Sequence, residues 1–150
     1  MKITFLNFKL FLGTKVLERI LKKENTRNVQ SCNIEDAKSM GMLCVIKNEN
    51  DYESTVQIIK LIKAEYKIPN IKILAFYPLK NDPEFLKSRL GLDFFTIYDL
   101  NYYSLPKKNV VKNFMSQRFD ILLDLTENVT IPLRLVLLLS KSPFKIGSFS

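Results

Sequence analysis

The stretch RFDILLDLTENVTIPLR, residues 118–134, sets Asp120 and Asp124 in an apolar run and follows it at once with Thr126, Glu127 and Asn128. A second polar stretch, Asn48-Glu49-Asn50-Asp51, follows the apolar run MLCVIK. Carboxylates, amides and hydroxyls in such turns can hold polar ligand groups or move protons, and Glu49, Asp51 and Glu127 could bind Mg²⁺ through oxygen if they converged. A solvated acidic rim, with no metal and no cofactor, is the expectation taken here. Asp124 is either a functional carboxylate or an acceptor for the backbone N–H groups of its own turn. Glu127 repels anions or caps the next helix. Arg134 is either an anion anchor facing a cleft or a structural partner of Asp124 or Glu127. Neither stretch contains the glycine-rich cradle that binds phosphate.

The chain has no histidine, which removes the commonest general base and every Ser-His or Cys-His nucleophile arrangement. Its two cysteines, Cys32 and Cys44, lack metal-ligand spacing, so a zinc site is not expected either. No catalytic residue can be named, and the balance leans away from an enzyme. With 150 residues, 47% apolar and 25% charged, the chain has the composition of one globular domain. The net charge of +8 comes from 18 lysines and 5 arginines. Such a surface attracts phosphate loosely, whereas reading a base sequence favours arginine forks or well-placed lysines on an element that fits a groove. Sequence-specific nucleic-acid binding is not expected.

MKITFLNFKLFLG at the start resembles a targeting peptide, but Lys9 breaks the apolar run and no small-residue cleavage site follows. With reduced cysteines, this predicts a cytoplasmic chain. Phe5, Phe8, Leu12 and Val16, widened by Leu6, Leu10, Leu17, Ile20 and Leu21, form an apolar stripe with lysines on the remaining face. An amphipathic helix is therefore expected within residues 1–30, packed on the domain's sheet. A basic helix of this kind can instead lie on an anionic membrane surface or touch nucleic acid. The polar run 24–28 separates it from a core over residues 40–150.

In that core, strand and helix patterns alternate. Strands are predicted at Met42–Lys47, Ile71–Tyr77, Phe94–Tyr98, Asp120–Leu125 and Phe144–Phe149, with helices at Asp51–Lys67, Pro83–Leu90, Lys107–Gln117 and Ile131–Ser140. Alternation of this kind gives an α/β fold, a three-layer Rossmann-like domain with a mainly parallel five-stranded sheet. The common doubly wound orders place the first strand beside either the fourth or the third; taken as 3-2-1-4-5, the strand order reverses between strands one and four, and ligands of such sheets bind beyond the carboxyl ends at that point. Asn48, Asn50 and Asp51 should then face Thr126, Glu127 and Asn128 across a shallow polar cleft, with Arg134 directed into it. Tyr102 and Tyr103, in the aromatic segment DFFTIYDLNYYSLP, form a second candidate contact loop. A fifth strand near residue 150 leaves a sheet edge for a second copy or another protein partner.

FDILLDLTENVTIPLRLVLLLSKSPFKIGSF resembles the end of the amino-terminal Rossmann-like domain of heptosyltransferase-type GT-B glycosyltransferases. Asp120, Asp124, Leu125, Asn128, Lys145, Ile146 and Gly147 carry the likeness. Those enzymes place a glycine loop and a catalytic Asp after the first strand, where this chain has KNENDYES, with Asp51 as a loose counterpart. They also bind the sugar nucleotide mainly through a second Rossmann domain. The resemblance thus implies a diverged half-enzyme for envelope sugars completed by another chain, with Asp51 as base and Asn128 and Arg134 placing the acceptor. The whole chain is more similar to a family of short uncharacterised bacterial α/β proteins. Together these readings lead to a non-catalytic binding or interaction module first, the half-enzyme second, and membrane-surface or non-specific nucleic-acid association through the amino-terminal helix third.

Overall fold

A computed structural model of the chain describes residues 12–19, 22, 30–89, 91–128 and 130–147. After α1, helical over residues 12–19, come β1 (Ser39–Val45), α2 (Glu49–Tyr66), β2 (Asn70–Tyr77), β3 (Leu92–Thr96), a 3₁₀ turn (Ile97–Asp99), α3 (Asn109–Ser116), β4 (Ile121–Asp124), α4 (Ile131–Leu139) and β5 (Phe144–Ile146). The five strands are parallel, as the alternation predicts, and lie in the order β3-β2-β1-β4-β5, the expected one of the two common orders.

Parallel strands at the centre of such a sheet are covered on both faces and so carry apolar residues at consecutive positions. β1 does so: Met40, Met42 and Cys44 join the layer under α2, while Leu43 joins the layer under α3 and α4. In β4, Ile121 and Leu123 face α2 and Leu122 faces the other side. Tyr52, Thr55 and Ile59 are the buried face of α2, and Val111 and Phe114 that of α3. α4 buries Pro132, Leu133, Leu135, Val136 and Leu137, more than a single stripe, and Pro132 sits in the first turn, where its missing N–H costs nothing.

Element positions differ from the expectation where local chemistry overrides pattern. β1 begins earlier, because Gly41 is an interior strand residue. A Cβ there would stand 2.6 Å from the Phe119 ring. β3 ends at Thr96, whose side chain and that of Asp99 cap the 3₁₀ turn reciprocally. The helix expected at Pro83–Leu90 does not form among the described residues. Leu86 N–H closes one turn on the Pro83 carbonyl, and Arg89 and Leu92 then pair across Gly91 and return the chain to the sheet. Of the amino-terminal helix only α1 is described, and the rest of the predicted stripe, like Phe149, lies outside the described residues. A Cβ on Gly13 would meet the Tyr103 carbonyl oxygen at 2.8 Å and the Ile131 side chain at 3.2 Å, so here α1 leans on the Tyr103 loop and the start of α4.

Asp120 locks the amino end of the sheet. Its Oδ2 accepts the Lys38 N–H (2.9 Å), the Ser39 N–H (3.0 Å) and the Ser39 hydroxyl (3.1 Å), and its own N–H donates to Ser39 Oγ (3.0 Å). Burial pushes the carboxyl up, but these hydrogen bonds and the Lys38 charge outweigh it and hold its pKa below the ordinary value of 3.8. A depressed carboxyl pKa stabilises the fold above the unfolded pKa, and that contribution is lost as pH falls through the folded value. Stability should therefore decline below about pH 4, and Asp120→Asn should remove this part of the acid sensitivity. At neutral pH the substitution should cost about 1 kcal/mol, since the carboxylate is part-exposed and its bonds are charge-assisted. Urea midpoints of both proteins measured from pH 3 to pH 7 check this. Equal acid slopes in the two would remove the role given to Asp120.

Candidate functional site

The strand order brings the carboxyl ends of β1 and β4 side by side, with Leu43 opposite Asp124. Beyond them lies a cleft of about 550 Å³ lined by Val45, Lys47, Asn48, Asp51, Pro78, Leu125, Thr126, Glu127, Asn128 and Thr130. Ligand pockets commonly enclose about 300–1,000 Å³. Five of the seven residues named from the sequence meet here: Asn48 and Asp51 on one wall, Thr126, Glu127 and Asn128 on the other. Asn50, exposed in the first turn of α2, and Arg134, half-buried in α4, are not among the lining residues. Among the described residues Arg134 also makes no ion pair with Asp124 or Glu127.

The walls are held by their own backbone. Asn48 has extended dihedrals and is the N-cap of α2, its Oδ1 accepting the Asp51 N–H at 2.9 Å. Asp51 reaches back to accept the Lys47 N–H at 2.9 Å through Oδ2. The two side chains thus satisfy donors on each other's side of the turn, much as a capping box does. Across the cleft, Asp124 Oδ1 accepts both the N–H (3.0 Å) and the hydroxyl (2.7 Å) of Thr126. Asp124 therefore fixes its turn in the way a strand-end carboxylate can without any ligand. Leu125 N–H completes the join by donating to the Leu43 carbonyl at 2.9 Å.

Below the cleft, Cys44 is buried and its thiol is pushed up to about 12, first by desolvation and then by the charges of Asp51 and Asp124, against a lowering hydrogen bond with Thr55. A thiol held protonated in this way is not a nucleophile. Asp51 and Glu127 share the cleft with Lys47, whereas Glu49 lines a different groove between α2 and the 84–89 segment. Among the described residues no group of three or more His, Cys, Asp or Glu side chains is placed to hold a metal ion.

Lys47, Pro78 and Thr130 escaped the sequence reasoning. Pro78 follows β2, which adjoins β1 in the sheet, so its position was readable from the same strand order that located the other two turns. Tyr102 and Tyr103 lie apart from the cleft, both exposed, with their rings 5.6 Å apart at 88°.

In comparison with known proteins, the model of a family of unknown function, DUF6913, matches residues 9–150. No curated protein and no solved structure matches the chain.

Proposed function

The chain belongs to the DUF6913 family of unknown function, and since membership brings no activity with it, we propose on geometry that the protein works by binding through the β1–β4 cleft and not by catalysis. One observation carries this reading. Asp51, a carboxylate of the cleft wall, and Asp124, at the end of β4, each spend an oxygen on the backbone of their own turn. With Asn48 and Thr126 likewise engaged, the cleft has the character of a stiff polar receptor with Glu127, Asn128 and Lys47 at its rim. Its occupant is a small polar ligand or a partner's polar side chains. The free cysteines support a reducing, cytoplasmic setting, and no described helix is long and apolar enough to cross a membrane.

Thermal shift and turnover assays test this together. Nucleotides, sugar nucleotides and sugar phosphates should give little stabilisation and no turnover. A true ligand at 100 times its dissociation constant would contribute about 2.7 kcal/mol, on the order of 5–10 °C in Tm for a domain of this size. Amide shift mapping with uncharged saccharides and short peptides should find perturbations confined to Lys47, Asn48 and residues 126–128. A large thermal shift with any nucleotide, or shift changes located elsewhere for every ligand class, would move the function away from this reading.

A second reading, the transferase-like half-enzyme, draws support from Gly147. A Cβ there would stand 3.2 Å from the Asp124 Cβ, so the strand-end Asp and the Lys-Ile-Gly segment that carry the local likeness are neighbours in space. It requires turnover of a sugar donor that Asp51→Asn abolishes. If wild type and variant are equally inactive with every donor and acceptor tried, this reading ends.

A further inference from the structure

We propose that the surface that follows β3 in the chain, formed by Tyr98 and the 100–107 loop, binds single-stranded nucleic acid without sequence preference, stacking bases on Tyr98 and on the Tyr102–Tyr103 pair while Lys80 and Lys107 hold phosphates. This goes beyond the cleft and does not depend on it. Proteins that take single strands in this manner interleave exposed aromatic faces with cations along the backbone's path.

Three tyrosines are exposed here, Tyr98 by 65%, Tyr102 by 45% and Tyr103 by 44%. They sit on fixed backbone. The Tyr98 hydroxyl donates to the Lys80 carbonyl at 2.6 Å, which anchors the ring and sets Lys80 beside it. Asn101 Oδ1 accepts the Tyr103 N–H (2.9 Å) and the Leu105 N–H (3.0 Å), Ser104 takes a left-handed φ of 62°, and Leu100 bridges to Pro106. Lys107 N–H then donates to the Asp99 carbonyl at 2.9 Å, so Lys107 returns to the neighbourhood of Tyr98. A ring held this way loses little conformational entropy on stacking.

The charge around these rings suits a polyanion. Oδ2 of Asp99, the residue after Tyr98, already takes the Thr96 N–H (2.8 Å), the Thr96 hydroxyl (3.2 Å) and the Lys108 ammonium (3.5 Å). Lys80 and Lys107 are exposed and form no ion pair among the described residues. Asp82, on the turn after Lys80, is the repulsive element. An acidic protein surface would satisfy the lysines but meet the tyrosine faces only where it happens to carry flat or apolar groups, whereas every base offers a face to them. In a duplex the faces are already stacked, so single strands are preferred.

Fluorescence anisotropy with labelled dT and rU oligomers of about 15 nucleotides, comparable to known single-strand site sizes, tests this against a duplex of equal length. The single strand should bind at least about tenfold tighter than the duplex, with log affinity falling linearly with log salt. Tyr98→Ala should weaken binding about tenfold, while Tyr98→Phe, which keeps the face and loses the anchor on the Lys80 carbonyl, should weaken it clearly less. Lys80→Ala with Lys107→Ala should flatten the salt slope by about 1.4, or about 0.7 for each phosphate that is no longer neutralised. Circular dichroism of each variant confirms the fold. The proposal is overturned by absence of binding at low salt, by equal affinity for duplex, by an unchanged Tyr98→Ala affinity, or by polyglutamate of equal charge competing as well as the oligomer.

Discussion

Phe119→Ala should lower stability by about 4 kcal/mol, a large share of the 5–15 kcal/mol typical of a whole domain and on the order of 10 °C in Tm. The ring is 1% exposed and lies against Phe114, centroids 4.9 Å apart. It also covers the one position in β1 that has no side chain, since a Cβ on Gly41 would meet Phe119 at 2.6 Å and Leu122 at 3.0 Å. Truncation therefore opens a cavity that nothing on β1 can fill. The same geometry predicts a reversal of sign. Gly41→Ala should cost about 1–3 kcal/mol by overpacking in the wild type, yet be neutral or stabilising once Phe119 is alanine. A double-mutant cycle measured by urea unfolding reads this coupling. If Gly41→Ala costs the same in both backgrounds, the ring does not occupy the glycine's space.

Gly91→Ala should cost about 3 kcal/mol for a different reason. Gly91 has φ 87°, and an added Cβ would lie 2.5 Å from the Ile71 carbonyl oxygen, a backbone atom that cannot swing aside. Left-handed strain accounts for about 1–3 kcal/mol, and the collision adds to it. Gly91 also accepts the Ile73 N–H at 2.6 Å, so any shift there disturbs the entry of β3 beside β2. Asparagine tolerates positive φ better than alanine does, but its Cβ meets the same carbonyl. Gly91→Asn should therefore fail to recover stability, and a near-native midpoint for it would show that φ alone is at stake.

Gly41 and Gly91 also explain which parts of the fold were readable from sequence. The parallel α/β class followed from the alternation of apolar periods, because parallel neighbours need crossovers and β1 and β4 each carry residues for two buried faces, and the order was then one of the two common for such sheets. Gly41, taken as a break, hid the first residues of β1, since its place depends on Phe119, 78 positions later. A short helix over 83–90 fitted the local pattern, yet eight residues seldom hold a helix unaided, and the Arg89–Leu92 bridge at Gly91 claims them for the sheet entry. In the site, the meeting of Asn48 and Asp51 with Thr126, Glu127 and Asn128 follows from strand order alone. The use of Asp51 on the Lys47 N–H does not, because it depends on how the turn closes. Arg134 fails to reach the cleft for a similar reason: the angular position of a residue on α4 is set by which of its many apolar side chains go inward.

The order β3-β2-β1-β4-β5 has a consequence for synthesis on the ribosome. Of these five strands β1 is made first and ends as the central one, flanked by β2 about 30 residues later and by β4 about 80 residues later. At about 5–20 residues per second, the β4 side of β1 waits several seconds beyond its first pairing, with Met40 to Leu43 offering unpaired N–H and C=O groups between apolar side chains. A nascent chain whose β4 is still inside the tunnel thus has a sticky open edge where the finished protein has its middle. Such a chain should recruit holding chaperones or associate with its own copies, and it should lose that tendency once β4 clears the exit tunnel.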